Sequence, residues 1–70
     1  MIVNNISALA GRDRLSIRDI ARETGLSYAA AWRLYHDKND RFERRVLDGL
    51  CRLFRCQPSD LLTFVPDPAE

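Results

Sequence analysis

The chain has 70 residues, 46% of them hydrophobic and 30% charged, a balance that excludes a disordered segment and leaves room for one folded domain. A catalytic domain beside a binding domain is excluded by size, because a chain this short buries only about 60–65% of its unfolded surface and builds a small core. Eleven Lys and Arg against ten Asp and Glu give a net charge of +1, so no bulk excess of positive charge announces a nucleic-acid partner.

Three Gly and three Pro are few chain breakers, which favours helices. The segment Ala8-Leu9-Ala10 imitates a signal-peptidase site. No basic leader precedes it, however, and Asn4 and Asn5 interrupt the apolar run, so no signal peptide is expected. Val3, Ile6, Leu9 and Ala10 instead recur at helical spacing, the face of a short first helix that Gly11 and Arg12-Asp13-Arg14 are expected to end. Ser16-Ile17-Arg18-Asp19 has the form of a capping box, so a second helix is predicted from Ile17 to Thr24, stopped by Gly25. Ser27 is the next N-cap candidate, and a third helix follows from Tyr28 to Tyr35.

Advancing 100° per residue places Tyr28, Ala29, Trp32, Arg33 and His36 in one arc of the third helix and Ala30, Ala31 and Leu34 on the other side. The outer face is thus large and polar, the inner face small and apolar. After the polar stretch His36 to Arg41, a fourth helix shows Phe42, Val46, Leu47, Leu50, Leu53 and Phe54 on one face. Gln57-Pro58-Ser59-Asp60 opens a fifth, with Pro where its missing amide costs nothing, and Leu61, Leu62, Phe64 and Val65 follow as an apolar patch. Residues 1–65 form the single domain of this reading, and residues 66–70 a frayed tail behind Pro66 and Pro68.

Other chemistry finds little support. The longest apolar run, Tyr28 to Trp32, is far below the roughly 18 residues of a membrane span, so a soluble cytoplasmic protein without membrane contact is expected. Cys51 and Cys56 lie five apart on what reads as one helix, which sets their Cα atoms roughly 7–9 Å apart and too far for an unstrained disulfide. They read as small core thiols. His36 is the single histidine, so no zinc site, and no cofactor of any kind, is expected. With no glycine-rich phosphate loop and no pair of carboxylates free of nearby arginines, the chain does not read as an enzyme, and no small-molecule effector site is evident.

Helix, three-residue turn, helix, with small Ala21 at the crossing and Gly25 in the turn, is the layout of a helix-turn-helix over residues 17–36. Together with Leu15-Ser16, Ile20-Ala21, Thr24-Gly25-Leu26-Ser27-Tyr28, Arg33-Leu34-Tyr35, Leu50-Cys51 and Cys56-Gln57-Pro58-Ser59-Asp60-Leu61-Leu62, the chain resembles the small single-domain members of the XRE class, the Cro and phage-repressor type of helix-turn-helix protein. The resemblance runs from Ile6 to Leu62. It implies an all-α, compact five-helix bundle of the lambda-repressor-like type and sequence-specific binding of double-stranded DNA, with residues 27–35 as the recognition helix in the major groove. Base contacts would come from Ser27, Tyr28, Ala29, Trp32 and Arg33, the outward arc found from helical angles. Phosphate contacts would come from Arg18, Lys38, Asn39, Arg41 and Arg44, with Arg45 a more distant candidate.

This chain departs from the family pattern at three places. Ile17 stands where Gln is common, so the phosphate contact of that Gln is lost. His36-Asp37 replaces the usual Asn-Gly after the recognition helix. Ala31-Trp32 replaces a branched apolar residue and a small polar one, so Trp32 has three readings: a DNA contact, a cover for the volume missing at Ala31, or a contact to a partner subunit.

All eleven cations precede residue 56, where only seven acids occur, so this part carries a surplus of four. Asp60, Asp67 and Glu70 offset most of it in the overall charge. The sequence-based expectation is a transcriptional regulator, a repressor, working as a homodimer through Leu62, Phe64 and Val65 on a palindromic site. The alternative is a protein-interaction module, an antitoxin or accessory subunit that uses the same fold to bind a protein partner.

Overall fold

Residues 1–67 are described by the computed structural model, in the order β1 (Ile2–Asn4), α1 (Ile6–Asp13), α2 (Ile17–Thr24), α3 (Tyr28–Tyr35), α4 (Arg44–Phe54), α5 (Pro58–Leu61) and β2 (Leu62–Phe64). Local chemistry sets the best-defined helix ends. The Ser16 hydroxyl accepts from the Asp19 N–H at 3.1 Å, and the Asp19 carboxylate accepts from the Ser16 N–H at 2.9 Å. These two bonds satisfy orphan donors at the start of α2. Gly25 ends the helix at φ 76°, in the left-handed region that costs glycine little. Two residues later the Ser27 hydroxyl accepts from the Ala30 N–H at 3.1 Å and opens α3.

The core consists of Ile6, Ala10, Ile20, Ala31, Leu34, Val46, Leu50, Phe54 and Leu61, drawn from all five helices. α2 packs chiefly against α3 and α4. Deep burial of Phe54, Ile6, Ile20, Leu50 and Leu61 supplies most of the hydrophobic stabilisation, at roughly 1.5–3 kcal/mol for each large side chain. Where α2 meets α4, a Cβ added at Gly49 would lie 3.6 Å from the Thr24 methyl, an ordinary contact, so this crossing does not require a glycine.

The expected all-α, five-helix bundle is corrected by a small sheet. β1 and β2 pair antiparallel with Ile2 opposite Phe64, Val3 opposite Thr63 and Asn4 opposite Leu62. Ile, Val, Thr and Phe favour a pleated strand. Val3 therefore belongs to a strand and not to the face of α1. The ribbon is continued by the Val65 N–H donating to the Met1 carbonyl at 2.7 Å. Asn5 joins it to the helices: its N–H donates to the Leu61 carbonyl at 2.8 Å, and its side-chain amide to the Asp60 carbonyl and the Thr63 hydroxyl at 3.1 and 2.8 Å.

Two helix ends also differ from expectation. α1 runs through Gly11 to Asp13 and closes on Arg14 at φ 57°, with the Leu15 N–H bonded back to the Ala10 carbonyl at 2.8 Å. α4 closes in the same way on Arg55 at φ 53°, with the Cys56 N–H on the Cys51 carbonyl at 3.1 Å. Cys56 thus lies beyond the helix, and the separation expected from continuous helical rise does not hold. Both thiols are free and half-buried. No helix among the described residues is long and apolar enough to cross a membrane, and among them no cluster of three or more His, Cys, Asp or Glu stands ready for a metal. Of the expected frayed tail, Pro66 and Asp67 are exposed, and residues 68–70 lie outside the described residues.

Candidate nucleic-acid interface

The tight turn at Gly25, Leu26 and Ser27 sets α3 across α2 with Ile20, Ala31 and Leu34 buried at the crossing. Ile17 packs against the edge of this core. With Ala31 and Leu34 inside, the helical period puts Ser27, Tyr28, Ala29, Trp32 and Arg33 outside, and all five are exposed. Tyr28 is 54% and Trp32 41% exposed, large values for such big apolar rings. The Ser27 hydroxyl accepts one bond as the cap and keeps its own proton for a second partner.

Ala31 is fully buried, whereas Trp32 is 41% exposed. Trp32 lies against His36 one turn on, ring centroids 4.3 Å apart, and Tyr35 meets the His36 ring edge-on at 5.0 Å.

Past His36 the chain reverses through Asp37 at φ 56°. The Asp37 N–H bonds the Leu34 carbonyl at 3.2 Å and the Lys38 N–H bonds the Arg33 carbonyl at 2.8 Å, the paired bonds of a Schellman ending. Aspartate tolerates the left-handed region better than most residues, which is why Asp37 serves where glycine would be expected. The reversal returns the loop beside α3. Arg33, Lys38, Asn39 and Arg41 thereby come together around a groove of about 380 Å3 floored by Leu26, Ala30, Leu34 and Val46. Asp40 and Glu43 stand on its rim as well.

The cations sort by pairing. Arg12, Arg22, Arg45 and Arg52 are each held by a carboxylate, Asp13, Asp19 with Glu23, Glu43 and Asp48 respectively. Arg14, Arg18, Arg33, Lys38, Arg41, Arg44 and Arg55 form no ion pair among the described residues and are all exposed; Arg14 and Arg55 are the left-handed residues that close α1 and α4. Unpaired guanidinium groups in water are the form in which arginine meets phosphate. Arg18 and Arg44 lie outside the groove lining, on α2 and at the start of α4. Asn39 is half-buried and engaged within the loop, its amide donating to the Arg41 carbonyl at 3.0 Å.

Three residues that position this surface carry no readable signal of it in the sequence. Asn4 donates from Nδ2 to the Leu34 carbonyl at 2.9 Å and to Asn39 Oδ1 at 3.5 Å, and its Oδ1 accepts from the Ile6 N–H at 3.2 Å. It ties the end of α3 and the following loop to the start of α1. Asn5 anchors the ribbon, and Arg12, bidentate on Asp13, also donates to the Phe54 carbonyl at 2.8 Å and so covers the end of α4. The Arg12 guanidinium holds the Asp13 carboxyl below its usual range, and Ser16 does the same for Asp19 through its backbone N–H and hydroxyl.

The dimer candidates divide. Leu62 is half-buried against the core, whereas Phe64 and Val65 are exposed, with Phe64 opposite Ile2 and these two 64% and 60% exposed. Met1 and Ile2 therefore extend that apolar surface.

A family model described as the Cro/C1-type HTH DNA-binding domain matches residues 5–67. The chain is also 24% identical over 66 residues to YozG of Bacillus subtilis (strain 168), described as an uncharacterized HTH-type transcriptional regulator, a match covering 94% of this chain and 79% of that protein.

Proposed function

The chain belongs to the Cro/C1-type helix-turn-helix family of DNA-binding domains, and on that premise we propose that it is a cytoplasmic transcriptional regulator, a repressor, reading the major groove of double-stranded DNA with residues 27–35. The observation that carries this reading is the exposed face of Ser27, Tyr28, Ala29, Trp32 and Arg33, flanked by cations that no carboxylate holds. Arg33 is the base reader, a fork suited to two bonds with a guanine. Arg18, Lys38, Arg41 and Arg44 take phosphates and set register, and Asn39 shapes the loop that presents two of them. Repression needs only occupancy of the site, which a binding domain supplies by itself.

One eight-residue helix reads few base pairs, so two copies on a palindrome, their half-sites about 34 Å apart, supply the affinity. The ribbon surface of Phe64 and Val65, with Leu62 beneath and Met1 and Ile2 beside, is the seat of the second copy.

Selection from random duplex DNA tests the proposal, followed by binding to the enriched sequence over a salt series. Four phosphate cations per protomer predict a slope of log K on log salt near −3.6 for each protomer. No enriched sequence would remove the reading. Salt-insensitive capture of a protein partner through the exposed Trp32 and Tyr28 would put the interaction module in its place.

A further inference from the structure

The turn after α4 brings together two groups that a continuous helix holds apart. Arg55 adopts φ 53°, and the Cys56 N–H donates to the Cys51 carbonyl at 3.1 Å. This is the six-to-one bond of a Schellman ending, a motif in which the side chains of the residues at its two ends frequently meet. Here those residues are both cysteines. Standard bond lengths on either side of a 3.1 Å bond keep the two Cα atoms within roughly 7 Å, at the upper edge of the range in which disulfides close. The two thiols are free and half-buried. Both line one crevice of about 430 Å3, open to small solutes beside Leu47, Gln57 and Pro58.

We propose that Cys51 and Cys56 are a reversible dithiol–disulfide couple, closed by a two-electron oxidant of the hydroperoxide class, that staples the end of α4 to the turn leading into α5. With hydrogen peroxide, the Cys51 thiolate attacks one oxygen. The O–O bond breaks, the departing oxygen takes up a proton and leaves as water, and Cys51 becomes a sulfenic acid. The Cys56 sulfur then attacks the Cys51 sulfur. The S–O bond breaks, the S–S bond forms, and the hydroxyl leaves as a second water with the proton of Cys56. The two thiols lose two electrons and the peroxide gains two, and a low-potential dithiol reverses the process. Burial pushes the Cys56 thiol up and lowers its thiolate fraction, so the attack on peroxide is assigned to Cys51.

Closure links elements that hold the ribbon, since α4 touches α5 and α5 leads directly into β2. The disulfide also shortens the unfolded chain's freedom across a short loop, so the oxidised form is the more heat-stable one. The couple is independent of what the helix-turn-helix binds.

The test treats the whole folded chain with a small excess of hydrogen peroxide and follows intact mass, thiol count and a non-reducing tryptic map. The expected result is a monomer lighter by about 2 Da, both thiols lost together and recovered with dithiothreitol. Cleavage after Arg45, Arg52 and Arg55 should leave residues 46–52 linked to residues 56–70. The melting midpoint should rise by roughly 5–15 °C on oxidation. Cys51→Ala and Cys56→Ala should each abolish the mass loss and instead form linked dimers or gain oxygen. Wild-type protein that gives only linked dimers, that gains oxygen at each thiol separately, or whose thiols react only after unfolding would overturn the proposal.

Discussion

Asn4→Ala removes the side chain that joins β1, the start of α1 and the end of α3. Two of its three bonds are well formed, to the Leu34 carbonyl at 2.9 Å and from the Ile6 N–H at 3.2 Å. The third, to Asn39 at 3.5 Å, is at the limit of a hydrogen bond and adds little. Each good bond contributes about 0.5–1.5 kcal/mol. The Leu34 carbonyl keeps the Asp37 N–H when Asn4 is truncated, whereas the Ile6 N–H loses a partner in a partly buried place. The expected destabilisation is therefore about 2 kcal/mol, a fall of roughly 8–16 °C in melting midpoint and about 1–2 M in urea midpoint. Urea titration followed by helix circular dichroism and by Trp32 fluorescence measures it, since Trp32 rides on the helix that Asn4 holds. Asn4→Asp separates the two bonds: it keeps the acceptor for Ile6, loses the donor to Leu34 and sets a new charge near Asp37, whose carboxylate lies 3.4 Å from the Asn4 N–H. An Asn4→Ala protein within 0.5 kcal/mol of wild type would refute the clamp, and an Asn4→Asp protein of wild-type stability would refute its Leu34 bond.

Three further outcomes are expected. Arg33→Ala should cost about 1–3 kcal/mol on the selected site and relax preference at one position, while Arg41→Ala should weaken all sequences alike and reduce the salt slope by about one, both read by binding to a randomised pool at several salt concentrations. The double change Gly11→Ala with Arg14→Gly moves glycine from a helix interior, where a Cβ meets nothing within 4 Å, to a left-handed end at φ 57°. Each half should stabilise by about 0.5–1 kcal/mol, and a calorimetric midpoint below that of wild type would show that the Arg14 side chain matters more than its backbone. Asp13 and Asp19 titrate lower in the folded chain than in the unfolded one, so the unfolded chain binds the more protons in acid and stability must fall as pH drops below about 4. Asp19→Asn should flatten that fall, and an unchanged urea midpoint profile between pH 5 and pH 2.5 would contradict the shift.

The residues that made parts of this fold readable are those whose chemistry is local. Ser16, Ser27 and Gly25 each act on a backbone group within three positions, and α2 and α3 occupy the bounds that these residues mark, Ile17–Thr24 and Tyr28–Tyr35. The outer arc of α3 was equally legible, because it follows from 100° per residue alone. The ends of α1 and α4 were not, since arginine holds the left-handed position in both and nothing in an arginine marks it. The ribbon escaped for another reason: each strand has three residues, Val3 fits a helical period as well as a strand, and the partners lie about sixty positions apart.

The same division separates the two halves of the candidate interface. Its base-reading face is set inside α3, whereas the groove that gathers Arg33, Lys38, Asn39 and Arg41 exists because Asp37 turns the chain back and Asn4, from the far end of the sequence, fixes the loop there. Sequence spacing reaches the first and cannot reach the second. It follows that changes at Asn4 should disturb phosphate contacts before base contacts, because its bonds reach the loop and the last turn of α3. A substitution at Asn4 that altered base preference while leaving the salt slope intact would break this separation.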